Sequence, residues 1–330
     1  MSLAPRRPLV YGLLLAALLA AALASLALGA VKVPISNVID VLFGDAPPGP
    51  DQQIVETLRL PRTVEAICVG AALGVAGAIL QGALANPLAS PDVIGVTGGA
   101  GFGAILIIIL FPGSIALLPL GALFFGLLAA GLVFAIAWSG QNRGSTGKVI
   151  LAGIAVLSLF TAGTTGLLAA YPEKAPSAIF FIAGGLTSSG WEEMGQVWPY
   201  FAVGFVTAAL LIRPLDRLAL GDDVAASLGS RPHVIRLWAA IAAALLAAAS
   251  AAIAGLVGFL GLVVPHVVRM AGGTSSHTFV VPASAIGGAA LLAGADTLAR
   301  TLRAPIEMPV GPFMAILGVP LFLWLLRRVV

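Results

Sequence analysis

The sequence predicts an all-α membrane protein, a polytopic bundle of about ten transmembrane helices with both termini in the cytoplasm. Three observations carry that prediction. Of the 330 residues, 59% are hydrophobic and only 9% charged, with a mean hydropathy of +1.06. A soluble domain carries about a quarter of its residues as charge, so lipid is the solvent this chain is built for. Apolar runs of about 20 residues, the length that crosses a bilayer core, recur along the whole chain. The basic residues, finally, divide unevenly between the two sides that these runs define.

The runs lie at approximately 9–30, 63–85, 92–111, 115–138, 149–170, 196–213, 235–256, 257–270, 279–299 and 309–328, so that residues 1–330 read as one transmembrane domain. The first follows Arg6 and Arg7 and imitates a signal peptide, but its apolar core is too long and many spans follow, so it reads as an uncleaved span. The second and third contain "GAALGVAGAILQG" and "GVTGGAGFGA", with small residues four apart at Gly70/Gly74 and Gly99/Gly103. Such spacing lets helix backbones approach closely where lipid gives no hydrophobic drive to associate. "SPD" places Ser90 at an N-cap and Pro91 at the first helical position of the third run. In the fifth, Ser158, Thr161 and Thr165 share a face at i, i+3 and i+7. Two readings fit that stripe: hydroxyls bonding back to their own helix, or a mildly polar cavity wall. The eighth run is short and begins inside a glycine-rich stretch.

With the N-terminus inside, an even number of spans returns the C-terminus inside. The cytoplasmic side then holds Arg6, Arg7, Arg143, Lys148, Arg213, Arg217, Arg231, Arg236, Arg269, Arg327 and Arg328, eleven of the seventeen basic residues. Lys32, Arg59, Arg62, Lys174, Arg300 and Arg303 remain outside. Eleven against six favours this orientation.

Several functions are excluded or weakened. The pI near 9.4 arises from basic residues spread singly, which form no nucleic-acid-binding patch. Cys68 is the lone cysteine, so disulfides and cysteine-rich metal sites are ruled out. "RGSTGKV" (143–149) imitates a phosphate-binding loop, but Asn142 stands where the pattern needs glycine and Val149 where it needs Ser or Thr. His233, His266 and His277 have no partners at metal-ligand spacing, so no metal site is expected. Glu65 and Asp296 are the acids nearest to the membrane interior, each close to an outer end. Ion-coupled carriers keep ionisable groups near the midplane, which weakens a secondary transporter as the alternative class.

One cytoplasmic stretch departs from all this. "LALGDDVAASLGSRPHVIR" (218–236) is a charged, helix-sized island between two spans, with a candidate element over 215–232. Asp222 is placed to cap a short helix at 222–228, Gly229 to end it, and Pro232 to stop any continuation. Val224 and Leu228, four apart, make one small apolar knob. Two turns of helix are marginal alone in water. The island is either a solvated loop helix or a docking knob for a cytoplasmic partner.

The residues now assembled resemble a known family, the FecCD-type permease subunits of ABC importers for iron–siderophore complexes, haem and cobalamin. The resemblance spans nearly the whole chain through "LRLPR" (58–62), "GAALGVAGAILQGALANPLASPDVIGVTGGAG" (70–101), "GDDVAASLG" (221–229), "GLVGFLGLVVPHVVR" (255–269), "GADTLAR" (294–300) and "MPVGPFMAILGVPLFLWLL" (308–326). The family's ten-helix fold agrees with the ten runs.

The resemblance implies roles. Asp222, Asp223, Val224, Leu228 and Gly229 look like the coupling element that enters a cleft on an ATP-hydrolysing subunit. Arg59, Arg62 and Arg300 match arginines that receive acidic residues of a periplasmic binding protein; headgroup snorkelling is the competing reading. Asn86 and Leu88, with Ser145 and Thr146, match the cytoplasmic gate, and the run holding Ser158, Thr161 and Thr165 matches a path-lining helix. The implied partners are a second permease copy (identical or related), two ATP-binding subunits and the binding protein, in a bacterial inner membrane. ATP and Mg would then sit on the partner ATPase, with no cofactor on this chain. "NPLASPDVIGVT" and "FIAGGLTSSGWEEM" look most like ferric-siderophore members, with haem and then cobalamin as alternatives.

Overall fold

A computed structural model describes residues 6–44, 48–139, 146–186 and 190–329. It is helical throughout, with no strand among the described residues. The helices are α1 (Arg6–Ala27), α2 (Ile35–Phe43), α3 (Pro50–Gln53), α4 (Leu60–Ala83), α5 (Val96–Leu110), α6 (Leu118–Ala137), α7 (Thr146–Ala170), α8 (Ala175–Ala183), α9 (Trp191–Leu218), α10 (Asp222–Ser227), α11 (Pro232–Ala254), α12 (Leu260–Gly272), α13 (His277–Thr301) and α14 (Val310–Val329). Seven are long and apolar enough to cross a membrane, α4 together with the turns that precede it, and three shorter apolar helices accompany them.

The middle of the bundle is α4. It packs against α13, α11, α9 and α12, and nearly its whole surface is buried. The glycine spacing explains how four neighbours fit. A Cβ on Gly70 would stand 2.3 Å from the carbonyl oxygen of Gly288 in α13, and one on Gly77 would stand 1.8 Å from that of Gly261 in α12. Gly99 and Gly103 hold α5 against α6 in the same way. Long apolar side chains that the core leaves out, such as Leu13, Leu19 and Leu210, project outward on α1 and α9, as a lipid solvent requires.

Three features depart from the sequence reading. The 257–270 run becomes α12, whose 13 residues rise only about 20 Å against a hydrocarbon core of about 30 Å. The residues before it, 255–258, are non-helical, and hydrogen bonds within the protein hold this stretch: Gly185 N–H donates to Ala254 O (2.8 Å) and Leu256 N–H to Phe181 O (3.4 Å). Broken backbone at membrane depth is tolerated only with such partners. Regular helix also starts later than "SPD" predicts. Val93 N–H reaches Ser90 Oγ at 3.4 Å, but that turn breaks at Gly95 (φ 80°), and α5 begins at Val96. Lastly, the segments after the first and fifth spans contain α2 and α8, short helices lost among loop residues in the sequence. Val38 and Val41 of α2 pack on Leu26, Ala27 and Val55.

Candidate functional site

At the end of the bundle that the sequence expects outside, the structure gathers Arg59, Arg62 and Arg300, all buried. In the last turn of α1, Ala24 O accepts Leu28 N–H (2.8 Å) and Ala27 O accepts Val33 N–H (3.0 Å), while Ser25 O and Leu26 O lie at the negative end of the helix dipole. Arg59 Nη1 donates to Leu26 O at 2.6 Å, and Nη2 to Val31 O. Arg300 Nη2 donates to Ser25 O and, at 2.9 Å, to Ser25 Oγ. Arg62 forks onto the buried Asp296, Nε to Oδ2 at 3.0 Å and Nη2 to Oδ1 at 2.9 Å, and reaches Glu307 Oε2 with Nη1 at 2.7 Å. All three guanidiniums are therefore held by protein groups rather than reaching to headgroups. Together with Glu307 and Pro305 they line an outer cavity of about 190 Å3. Arg303 is exposed beside it.

At the other end lies the island. Residues 215–218 are the last turn of α9, so the free-standing element is α10 alone. Its end matches the expectation. Gly229 is left-handed (φ 78°), Gly229 N–H donates to Ala226 O and Ser230 N–H to Ala225 O, both at 2.9 Å, the paired bonds of a Schellman motif. Its start does not: Gly221 occupies the cap position and no side chain caps it. Asp222, expected to cap, is claimed instead by Arg236 of α11, with Nη2–Oδ1 at 2.7 Å and Nη1–Oδ2 at 2.8 Å. A two-bond charged fork outcompetes a single backbone N–H. Ala225 is the buried seat of α10, whereas Val224 (46% exposed) and Leu228 (55%) project together; Asp223 is exposed.

The residues expected to form the gate lie at the same end as the island, just past the end of α4. Asn86 Oδ1 accepts Leu88 N–H at 2.9 Å, so these two residues form one turn directly after α4. Thr146 opens α7, but its side chain, like the whole of Ser145, is outside the described residues. In the stripe of α7, two hydroxyls bond back to their own helix. Ser158 Oγ donates to Ile154 O and Thr165 Oγ1 to Thr161 O. Thr161 and Thr165 also line a cavity of about 450 Å3 shared with Asp92, Thr97 and Thr164.

The sequence reading missed the groups that fasten the inner end of the bundle. Arg236 Nε donates to Ala83 O at 3.0 Å, at the end of α4. Gln81 Nε2 bonds Gly261 O, and Arg269 donates to its Oε1. Asp216 of α9 accepts His277 N–H at 2.6 Å and the hydroxyls of Ser276 and Thr278, capping α13 from a neighbouring helix. One signal was available: Gln81 follows an uninterrupted run of apolar and small residues, 66–80, where an unpaired polar group is expensive. No cluster able to hold a metal ion occurs among the described residues.

A helical membrane bundle with an arginine-lined cavity at one end, a mainly apolar cavity bearing four threonines, and a short apolar knob at the other end has the build of a transport subunit. Comparison with known proteins specifies it further. The profile of the FecCD transport family matches residues 17–328. The chain is 36% identical over 324 residues to the Fe(3+)-citrate import system permease protein YfmE of Bacillus subtilis, covering 98% of this chain and 96% of the relative. It is also 36% identical over 327 residues to the hemin transport system permease protein HmuU of Yersinia pestis (97% and 96%). Among solved structures, a chain assigned to an inward-facing metal-chelate type ABC transporter superposes with a TM-score of 0.84 at 30% identity, covering 97% of this chain and 99% of that one. The chain belongs to the FecCD transport family. It is a membrane-embedded permease subunit of an ABC importer and not itself an enzyme.

Proposed function

We propose that this permease carries an iron chelate, a ferric siderophore, from a periplasmic binding protein to the cytoplasm by alternating access across a bacterial inner membrane. Two copies, or this chain and a related permease, enclose the path, and two ATP-binding subunits carry the ATP and Mg. The observation that supports the arrangement best is α10. A helix of six residues with a buried alanine seat, a locked C-terminal end and two exposed apolar side chains is a knob shaped for a cleft. Leu228, Val224, Asp222, Asp223 and Gly229 form that contact with the ATPase. Asn86 and Leu88, with Ser145 and Thr146, close the inner end of the path, and Thr161 and Thr165, with Ser158 on the same face, belong to its wall.

Acidic groups of the binding protein dock over Arg59, Arg62 and Arg300. Three guanidiniums against Asp296 and Glu307 leave the outer cavity net positive, which favours an acidic partner.

The siderophore reading is supported by the likeness of "NPLASPDVIGVT" and "FIAGGLTSSGWEEM" to ferric-siderophore members. Haem is the second reading, because a haem permease is as similar to this chain as a ferric citrate permease. Deleting the gene in an iron-starved host and following labelled ferric siderophores, haem and cobalamin in parallel tests the assignment. Loss of ferric-siderophore uptake alone, restored by the wild-type gene, is the expected result. Loss of haem or cobalamin uptake alone would move the cargo to that class.

A further inference from the structure

The knob that meets the ATPase is two turns long and rests on α9 and α11, which both pack on α4. One side chain, paired with a half-exposed Asp222, also ties it directly to the end of α4. Arg236, near the start of α11, grips both carboxylate oxygens of Asp222 at 2.7 and 2.8 Å, at the first residue of α10. With its remaining donor direction, Nε, it bonds Ala83 O at 3.0 Å. Ala83 is the last residue of α4, whose terminal carbonyls lack helical partners and attract a cation. Two residues further on, Ala85 has a left-handed backbone (φ 47°), unusual for a residue other than glycine. The Asn86–Leu88 turn follows at once.

We propose that Arg236 is the positioning residue that links the ATPase contact to the gate: displacement of α10 reaches the end of α4, and thus Asn86 and Leu88, through its guanidinium. The inference rests on the coupling role given to α10 above. Its chemistry asks for arginine in particular. A planar fork donates in two directions at once, toward Asp222 and toward Ala83, whereas a lysine ammonium is a single point charge on a flexible stem. The other inner fastenings, Gln81 with Arg269 and Asp216 with His277, join α4 to α12 and α9 to α13 and do not touch α10.

The test uses the full complex of permease, ATPase and binding protein in proteoliposomes, with cargo uptake and ATP hydrolysis measured on the same sample. Arg236→Gln and Arg236→Lys are expected to retain bound ATPase and to hydrolyse ATP, yet to move at least about tenfold less cargo per ATP, within the usual range of coupling between two sites. Arg236→Lys should be as uncoupled as Arg236→Gln, although it keeps the charge. Should Arg236→Gln fail to reach the membrane, the lysine variant decides alone. A wild-type ratio of cargo to ATP in either variant overturns the proposal, and so does loss of the ATPase on purification, which would make Arg236 a residue of assembly. Uptake by the wild type without ATP removes the underlying reading of α10 instead, and is seen before any variant is compared.

Discussion

Arg62 and Asp296 are joined by a two-bond ion pair between the start of α4 and the last turns of α13, with both side chains at most 10% exposed. Breaking a buried pair from one side costs about 3–5 kcal/mol when the other charge is left alone; here Glu307 stays beside Arg62 at 2.7 Å and Arg300 beside Asp296 at 3.6 Å, so the loss falls below that range. Arg62→Ala and Asp296→Ala are therefore expected to lower the thermal unfolding temperature of the detergent-solubilised permease by several degrees. Variants as stable as the wild type would show that the pair is hydrated and weak.

Glu307 behaves differently, because its carboxylate is 45% exposed although it meets the same arginine. Removing a partly exposed ion-pair partner costs about 0–1 kcal/mol. Glu307→Gln should leave stability nearly unchanged and raise the positive charge of the outer cavity. Affinity for the acidic binding protein then rises and becomes more sensitive to salt, as titration at two ionic strengths will show. Weaker binding would place the docking contact elsewhere.

The contrast between these residues marks where the sequence was readable. Hydropathy carries a long-range, redundant signal, so the helical membrane class and most of the long helices follow from composition and run length alone. The glycines at 70, 74, 99 and 103 were legible because small residues have few other uses in lipid. Asp222 misled because a local rule, the helix cap, was applied where a residue 14 positions away supplies a stronger partner. The burial of Arg59 and Arg300 was not legible for a similar reason: the carbonyls that hold them, Leu26 O and Ser25 O at the end of α1, are distant in sequence. Short helices such as α2 and α8 carry too few residues to stand out from a loop, and tertiary contacts stabilise them.

Gly77 provides a direct test of helix approach. A Cβ there would overlap the Gly261 carbonyl at 1.8 Å, backbone against backbone, with no side chain free to yield. Gly77→Ala must separate α4 from α12, at a cost of about 1–3 kcal/mol for overpacking. Thermal denaturation should show the loss, and an unchanged midpoint would mean that α12 slides freely.

Asp216 holds the start of α13 through His277 N–H, Ser276 Oγ and Thr278 Oγ1. Asp216→Ala removes every one of these acceptors, worth up to about 2 kcal/mol by analogy with helix caps. The expected result is a lower unfolding temperature with normal cargo moved per ATP among surviving molecules. A change in that ratio without loss of stability would assign Asp216 to coupling.

The account rests on energy arriving from a partner through α10. Its most direct test is uptake of a labelled ferric chelate by the reconstituted complex, with ATP supplied on the ATPase side and the proton and sodium gradients dissipated. Uptake should require ATP and loaded binding protein, survive the loss of both gradients, and fail in Leu228→Glu. That substitution at a 55% exposed position should change stability by less than about 0.5 kcal/mol, so its failure would reflect a lost ATPase contact. Uptake that proceeds without ATP and collapses with an ion gradient, unaffected by Leu228→Glu, would contradict the account.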